Sequence, residues 1–238
     1  MPCLAHNIQL VIKDGLTLDN DYDKLLKHVS EDIVSKSKKS LVIAEEMRKL
    51  NIKLNKKNVT RWNSILFMTR SVLRLSAADF KTIRSEMPAQ TKAQQETRKK
   101  FDLSKKERDM LVELVNILEA FEFFTDELQG NSVNISRVYP GVIFLRDKLK
   151  LDGAIYTIEL RKNLLESLNK RFSDILDDDV IIFSTVLDPN FGLRFIDKRK
   201  QQEVKARLCA SLKKESASQQ VTIYRITLYL KKLQTIVF

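Results

Sequence analysis

Near the start of the chain, a cysteine and a histidine lie three residues apart, at Cys3 and His6. This spacing is typical of half a zinc site, or of a thiol nucleophile beside its base. A structural zinc site takes about four ligands. The whole chain has 2 Cys and 2 His, and no third group is evident to orient a Cys–His pair. We therefore predict no metal site and interpret Cys3 as a core cysteine beside a capped or partner-bound histidine.

The remaining polar motifs do not complete a catalytic site. Three consecutive acids, Asp177 to Asp179, are typical of a solvated helix boundary, and the chain has no glycine-rich loop to bind a phosphate. A metal triad, an activated nucleophile and a phosphate loop are all missing from the pattern. We predict that the protein is not an enzyme, uses no cofactor and takes no small-molecule substrate.

A basic segment around the only tryptophan is the strongest candidate for binding. Its central residues and the lysines before them are Arg61, Trp62, Asn63, Lys53, Lys56 and Lys57. Such a cluster can bind a phosphate, stack on a displaced base and hydrogen-bond to a base edge. In the alternative interpretation, Trp62 fills the core at the start of a helix and Arg61 pairs with an acid. The residues alone leave both interpretations open.

Charge and composition narrow the class of protein. Lys and Arg number 42 against 31 Asp and Glu, giving a formal net charge of +11. A surplus of this size attracts polyanions, so nucleic acid is a candidate partner. The 2 cysteines are too few for a disulfide framework and favour a reducing compartment. Because neither a secretory signal nor a membrane span is predicted, we expect a soluble intracellular protein with no membrane partner.

Helical periodicity predicts an all-α fold, an irregular helical bundle, up to about residue 214. The first helix is expected to end at Gly15, because glycine readily adopts the left-handed conformation of a helix cap. Residues 19–50 are expected to form one long helix with a weak polar middle, or two helices. From residue 62 to residue 75 the helical pattern resumes.

Cap chemistry predicts the later helices. Ser104 and Glu107 have the spacing of a capping box, and the helix they begin is expected to stop at Gly130. Ser136 and Pro140 predict the cap and first turn of the next helix. Others are predicted over residues 158–175, 180–187 and 204–212, whereas helix and strand cannot be separated in the tail VTIYRITLYL.

The predicted organisation has two helical parts. Residues 1–84 form the first part, residues 85–103 a polar linker, residues 104–214 a helical bundle, and residues 215–238 a divergent tail. The linker prediction follows from the polar composition and the proline of the second range.

Four segments, in the same order along the chain, resemble segments of the hAT superfamily of transposases. From residue 3 the chain reads CLAHNIQLVIKDGL, which resembles the family's C-x-x-H segment before a helical insertion domain. From residue 60 it reads TRWNSILFMTRSVLRL, which resembles the T-R-W-N-S segment. Two further matches begin at residues 121 and 164, FEFFTDELQGNSVNISRVYPGVIFLRDKL and LLESLNKRFSDILDDDVIIFSTVLDPNFGLRF. The resemblance extends to proteins with BED-type zinc fingers that derive from such transposases.

The resemblance implies that the catalytic residues of the family have no counterparts in residues 1–238. In the family, an RNase H-like core holds Mg²⁺ or Mn²⁺ with two aspartates before the C-x-x-H segment and a glutamate near the C-terminus. We therefore expect none of these acids here, and Cys3 and His6 to mark the entrance to the insertion domain. Asn190 and Gly192 stand where the family usually has Arg and Lys, which weakens a phosphate-binding role for that loop.

The resemblance also implies a function and a compartment. We expect a truncated, nuclear, transposase-like protein that binds DNA without strand transfer. Arg61, Trp62 and Asn63 are expected near DNA ends, with Lys56 and Lys57 on phosphates. The alternative is an inert or protein-binding helical scaffold derived from a transposase. A second copy of the chain is a further candidate partner, in a homo-oligomer.

Overall fold

The structure, a computed structural model, describes residues 3–58, 61–129, 135–151 and 153–214. Within these ranges the chain is all-α, as its periodicity predicts, and contains no β-strand. The helices are α1 (Leu4–Leu18), α2 (Asn20–His28), α3 (Lys36–Lys39), α4 (Leu41–Lys49), α5 (Asn63–Leu73), α6 (Ala77–Glu86), α7 (Lys92–Lys100), α8 (Lys105–Gln129), α9 (Val138–Lys150), α10 (Ile158–Asp177), α11 (Asp179–Leu187) and α12 (residues 201–214). The predicted stop at Gly130 and the tail from residue 215 lie outside the described residues.

Helix α1 packs against α10, α8 and α2, and a glycine allows its close approach to α10. The helix continues through Gly15 to Leu18, so the prediction that Gly15 ends it is wrong. A Cβ atom at this glycine would lie 2.5 Å from Cδ2 of Leu164 on α10. Gly15 therefore serves helix packing, because any side chain there would overlap the facing helix.

Residues 19–50 form two helical rods. The first contains α2, a π-helical segment (Val29–Ser35) and α3. In the π-helical segment the hydroxyl of Ser35 donates to the carbonyl of Ser30, five residues earlier, at 2.8 Å. The second rod is α4, which begins after Ser40, an extended residue whose hydroxyl accepts from the amide of Ile43. Of the two arrangements expected for this range, the structure has the one with two helices.

The polar range 85–103 contains a helix of its own. Helix α7 buries none of its residues and begins with a capping box, in which Thr91 Oγ1 accepts from the amide of Gln94 at 3.2 Å. Directly after it, Phe101 is buried with its ring 5.7 Å from the ring of Phe80. One hydrophobic cluster includes side chains from both sides of this range. The two predicted helical parts therefore share a core.

Helix α8 is the longest of the described helices, with 25 residues. The predicted capping box is confirmed, because the amide of Ser104 donates to Glu107 Oε2 at 2.9 Å and the amide of Glu107 donates to Ser104 Oγ at 3.2 Å. A Cβ atom at Gly141 of α9 would lie 2.0 Å from the ring of Phe124 on α8. A second glycine thus sets a close contact between helices.

The predicted cap at Ser136 is wrong. Ser136 lies in a 3-10 turn (Ile135–Arg137) before α9, and its hydroxyl donates to Asp188 Oδ2 at 2.6 Å. Its carbonyl accepts from the hydroxyl of Thr185 at 2.9 Å. The residue therefore links α9 to the end of α11. Pro140 does lie in the first turn of α9, where a proline is tolerated.

None of the helices in the described ranges combines the length and the apolar character that crossing a membrane requires.

Candidate nucleic-acid interface

The structure brings the first turn of α1 beside the turn that begins α5. His6 and Gln9 line one side of a groove of about 350 Å³, and Arg61, Trp62 and Asn63 line the other. Two segments that are far apart in the sequence, the C-x-x-H turn and the R-W-N turn, therefore form one surface feature. We call this feature the first groove.

A second groove lies on the other side of Arg61. It has a volume of about 290 Å³, and Lys13 and Asp23 line it together with Lys57. Arg61 and Trp62 line both grooves, so they form the ridge between them. A ligand in either groove would meet the guanidinium group of Arg61.

The indole of Trp62 belongs to the hydrophobic core. The residue is 7% exposed and joins the main cluster of buried side chains with Ile65 and Leu66. Stacking requires an open ring face, and burial of this extent does not provide one in this conformation. The predicted stacking role therefore conflicts with the position of Trp62, which fits the alternative in which it fills the core.

The other half of that alternative, an acid partner for Arg61, is not present. Within the part of the chain that the structure describes, no carboxylate lies within 4.0 Å of the Arg61 side chain. Lys53, Lys56 and Lys57 have no such partner either. Arg61, Lys53 and Lys56 are exposed, and Lys57 is half-buried. These four cations, which we call the basic turn, leave their charge available for a partner.

Two serines of α5 hold the basic turn in place. Ser64 Oγ accepts from the amide of Asn58 at 2.8 Å and donates to the carbonyl of Arg61 at 2.6 Å, so it joins both residues to the first turn of α5. Two helical turns later, Ser71 Oγ accepts from the amide of Asn55 at 3.0 Å. Residues 52–58 therefore lie along α5 without helical structure of their own.

Sequence reasoning did not single out these serines. Their signal is the spacing of seven residues, which places two small hydroxyl groups on the same face of a helix, two turns apart. Leu54, directly before Asn55, adds an apolar anchor, since it is 4% exposed. The anchor directs Lys53 and Asn55 to solvent, because adjacent residues of an extended segment point to opposite sides.

Cys3 and His6 lie at the entrance to α1. Cys3 precedes the helix, is exposed and makes no side-chain cap, so its interpretation as a core cysteine is wrong. His6 is exposed at the rim of the first groove. Among the described residues, no group of three or more His, Cys, Asp or Glu is arranged to hold a metal ion.

Two arginines that lie between helices pair with acids of the facing helix. Arg70 of α5 contacts Glu119 at 3.0 Å and Glu122 at 2.8 Å, both on α8. Arg171 of α10 contacts Asp14 of α1 at 2.7 Å. These pairs join helices to each other, in contrast to the cations of the basic turn, which pair with no acid in the described ranges.

Two carboxylates that bind groups from a distant part of the chain have shifted pKa values. Partial burial opposes ionisation of Asp14, but hydrogen bonds from Arg171 and Ser167 outweigh it, so the pKa of Asp14 lies below its usual value. Burial also opposes ionisation of Glu113, but its pKa is lowered because backbone amides directly before α10 donate to it. Those amides belong to residues 155–157, and their nitrogens lie 3.0 to 3.1 Å from the carboxylate oxygens of Glu113.

No protein-family model and no curated protein matches the chain. The resemblance to hAT transposases therefore rests on the four sequence segments. In the structure these segments contact one another: Asp14 of the first pairs with Arg171 of the fourth, and Ser136 of the third pairs with Asp188 of the fourth. The first and second segments share the first groove.

The turn after α11 carries the two departures from the family pattern. Asp188 Oδ1 accepts from both the amide and the side-chain nitrogen of Asn190, at 2.9 and 3.0 Å. Gly192 has a φ angle of 57°, in the left-handed region that favours glycine. Both residues are thus used to form the turn.

Proposed function

We propose that the chain is a DNA-binding helical domain related to the insertion domain of hAT transposases, that it acts in the nucleus, and that it performs no strand transfer. The observation that carries the proposal is the basic turn, in which four cations have no acid partner among the described residues. Each unpaired cation can replace a counterion on a phosphate, so the turn is suited to a nucleic-acid backbone. The net charge of +11 adds long-range attraction.

The roles of the individual residues differ from those expected on the sequence alone. Lys56, Lys57 and Arg61 bind phosphates in this proposal. Asn63, which lines the first groove, is available to hydrogen-bond to a base edge or a sugar. Trp62 fixes the ridge from below and is a positioning residue.

A matched pair of triple variants tests the proposal. One variant is Lys56→Gln/Lys57→Gln/Arg61→Gln, and the control is Arg98→Gln/Lys99→Gln/Lys100→Gln on α7; each removes three positive charges. Binding to a fluorescein-labelled 20-base-pair duplex is measured by fluorescence anisotropy over a range of salt concentrations. Each phosphate contact that the basic turn loses should make the plot of log K against log salt shallower, by about 0.9 in slope. The control should lower it much less.

Equal weakening by the two variants would mean that the net charge, and not the basic turn, binds DNA. Unchanged binding by both would favour the alternative, a scaffold that does not bind nucleic acid. A single-stranded oligonucleotide of the same length shows whether the turn prefers splayed or paired strands.

The absence of strand transfer is tested separately. In the family, carboxylates position both metal ions for cleavage and joining, and two-metal catalysis depends on that placement. The purified protein with Mg²⁺ or Mn²⁺ should neither nick nor join a supercoiled plasmid. Metal-dependent nicking that persists through repurification would overturn this part of the proposal.

A further inference from the structure

A third groove lies at the far end of the basic segment, between α3, α4 and the turn that follows α4. It has a volume of about 550 Å³, which is larger than either groove beside Arg61. Apart from Lys53, it shares no residue with the proposed DNA site. We call it the α4 groove.

The floor of the α4 groove is apolar. Met47 and Leu54 line it and are 5% and 4% exposed, and Ala44 and Ile52 complete it. A methionine floor is adaptable, because the unbranched side chain repacks readily around an incoming apolar group. The floor is thus suited to an apolar side chain from outside.

Helix α4 extends this apolar face beyond the groove. Leu41 lies one turn before Ala44 on the same face of the helix, since residues three apart are neighbours on a helix surface. It is 89% exposed, the highest value among the exposed large hydrophobic side chains described. A partner that covers Leu41 and fills the groove would remove one continuous apolar strip from water.

The rim of the groove is positively charged. Lys38, Arg48 and Lys53 line it. Arg48 contacts Glu45 at 2.7 Å, whereas Lys38 and Lys53 have no carboxylate within 4.0 Å among the described residues. Residues 36–53 contain six Lys or Arg and two Glu, so the surroundings of the groove are strongly basic. A partner with acidic residues beside its apolar residues would complement this pattern.

We propose that the α4 groove binds an acidic amphipathic helix of a partner protein. Apolar side chains of that helix lie on Leu41 and in the groove, and its carboxylates meet Lys38 and Lys53. Recognition of an amphipathic helix by an apolar groove is a common binding mode. A nucleic acid fits less well, because none of the described residues that line the groove is aromatic and could stack on a base.

The probe is a fluorescein-labelled synthetic peptide of helical design, with leucines on one face and glutamates elsewhere. Binding to the full chain is measured by fluorescence anisotropy. A peptide of the same composition, shuffled so that its leucines lie around the whole helix, should bind about tenfold more weakly. Equal binding of the two peptides would overturn the proposal, because it would show attraction by charge alone.

Two matched pairs of variants locate the site. Leu41→Glu should weaken peptide binding about tenfold, whereas Leu18→Glu, at another exposed leucine, should leave it nearly unchanged. Lys38→Glu/Lys53→Glu should weaken it similarly, whereas Lys99→Glu/Lys100→Glu should have little effect. Because all of these side chains are exposed, the variants should keep the helical circular dichroism signal of the parent protein.

A single variant distinguishes a peptide site from a nucleic-acid site, because Lys53 also belongs to the basic turn and is left unchanged in it. Lys38→Glu should weaken peptide binding, but it should change binding of a 12-nucleotide single strand no more than Lys99→Glu does. Loss of binding to the single strand together with unchanged peptide binding would overturn the proposal and make the groove part of the DNA site.

As an independent measurement on the parent protein, hydrogen exchange should show that the peptide protects amides of residues 41–54. Protection elsewhere would overturn it as well.

Discussion

Arg61 and Arg70 lie at opposite ends of one helix and have opposite surroundings. Arg70, inside α5, contacts two glutamates of α8. Arg61, just before α5, has no carboxylate within reach among the described residues, and neither do the lysines beside it. The comparison shows that one short helix carries a cation that joins helices and another that remains available. Charge count alone does not distinguish these roles, because they depend on whether a carboxylate lies beside the cation, as it does for Arg70.

The largest effect is expected at the residue that links the basic turn to the core. Trp62→Ala should lower the free energy of unfolding by about 3–5 kcal/mol, because it truncates a buried aromatic side chain. Urea denaturation followed by circular dichroism measures this loss, and Trp62→Phe should lose less. Since the chain has 1 Trp, acrylamide quenching of the parent protein should also be weak. Strong quenching with little loss of stability would return Trp62 to the exposed role predicted from the sequence.

A smaller effect is expected for an acid that acts only within the fold. Glu113→Ala should lower the free energy of unfolding by about 1.5–3 kcal/mol, because amides at the start of α10 lose a charged acceptor. The hydroxyl of Thr157, a fully buried residue, loses the same acceptor. Glu166→Ala, at an exposed residue of α10, should change stability by less than about 0.5 kcal/mol. Similar losses in the two variants would remove Glu113 from this role.

The pair between Asp14 and Arg171 should appear in the pH dependence of stability. The pKa of Asp14 is lower in the folded protein than in the unfolded chain. Its stabilisation is therefore complete above its unfolded pKa, about 3.9, and is lost as the pH falls further. Asp14→Asn should lower the free energy of unfolding by about 1 kcal/mol at pH 7, a modest value because the pair is partly exposed. Between pH 5 and pH 2 the variant should lose less stability than the parent protein does. Asp126→Asn is the exposed control, and an equal reduction there would contradict the assignment.

The smallest effect on stability is expected in the basic turn itself. Lys56→Gln/Lys57→Gln/Arg61→Gln should change the free energy of unfolding by less than about 0.5 kcal/mol, because these cations pair with no acid in the part of the chain that the structure describes. Thermal and urea denaturation of the variant measure it. A loss comparable to that of Glu113→Ala would show that the turn is part of the structural network and would end the contrast with Arg70.

The sequence predicted helices where an apolar period or a cap made of neighbouring residues was present. The capping box at Ser104 is an example, because both of its members lie within one turn. Helix α7 was not predicted, since a polar helix that buries none of its residues has no apolar period to detect. Gly15 and Ser136 were misassigned because their roles depend on Leu164 and Asp188, which are distant in the chain.

The candidate site was predictable in its charges and not in its geometry. Arg61 and its neighbouring lysines are evident as a basic cluster in the sequence. Whether Arg61 finds an acid, and how deeply Trp62 is buried, depends on how α1 and α8 pack around the start of α5. The groove shared with His6 required two segments that no local pattern connects.

The π-helical segment has a consequence for changes in chain length. A π-helix closes its hydrogen bonds over five residues instead of four, so Val29–Ser35 holds one residue more than an α-helix of equal extent. Deleting one residue there should restore an ordinary α-helix, and α3 and the extended residue Ser40 should keep their orientation. The same deletion within α2 would rotate everything beyond it by about 100°, the turn per residue of an α-helix. Natural relatives that differ by a single insertion or deletion in this rod are therefore expected to differ at residues 29–35.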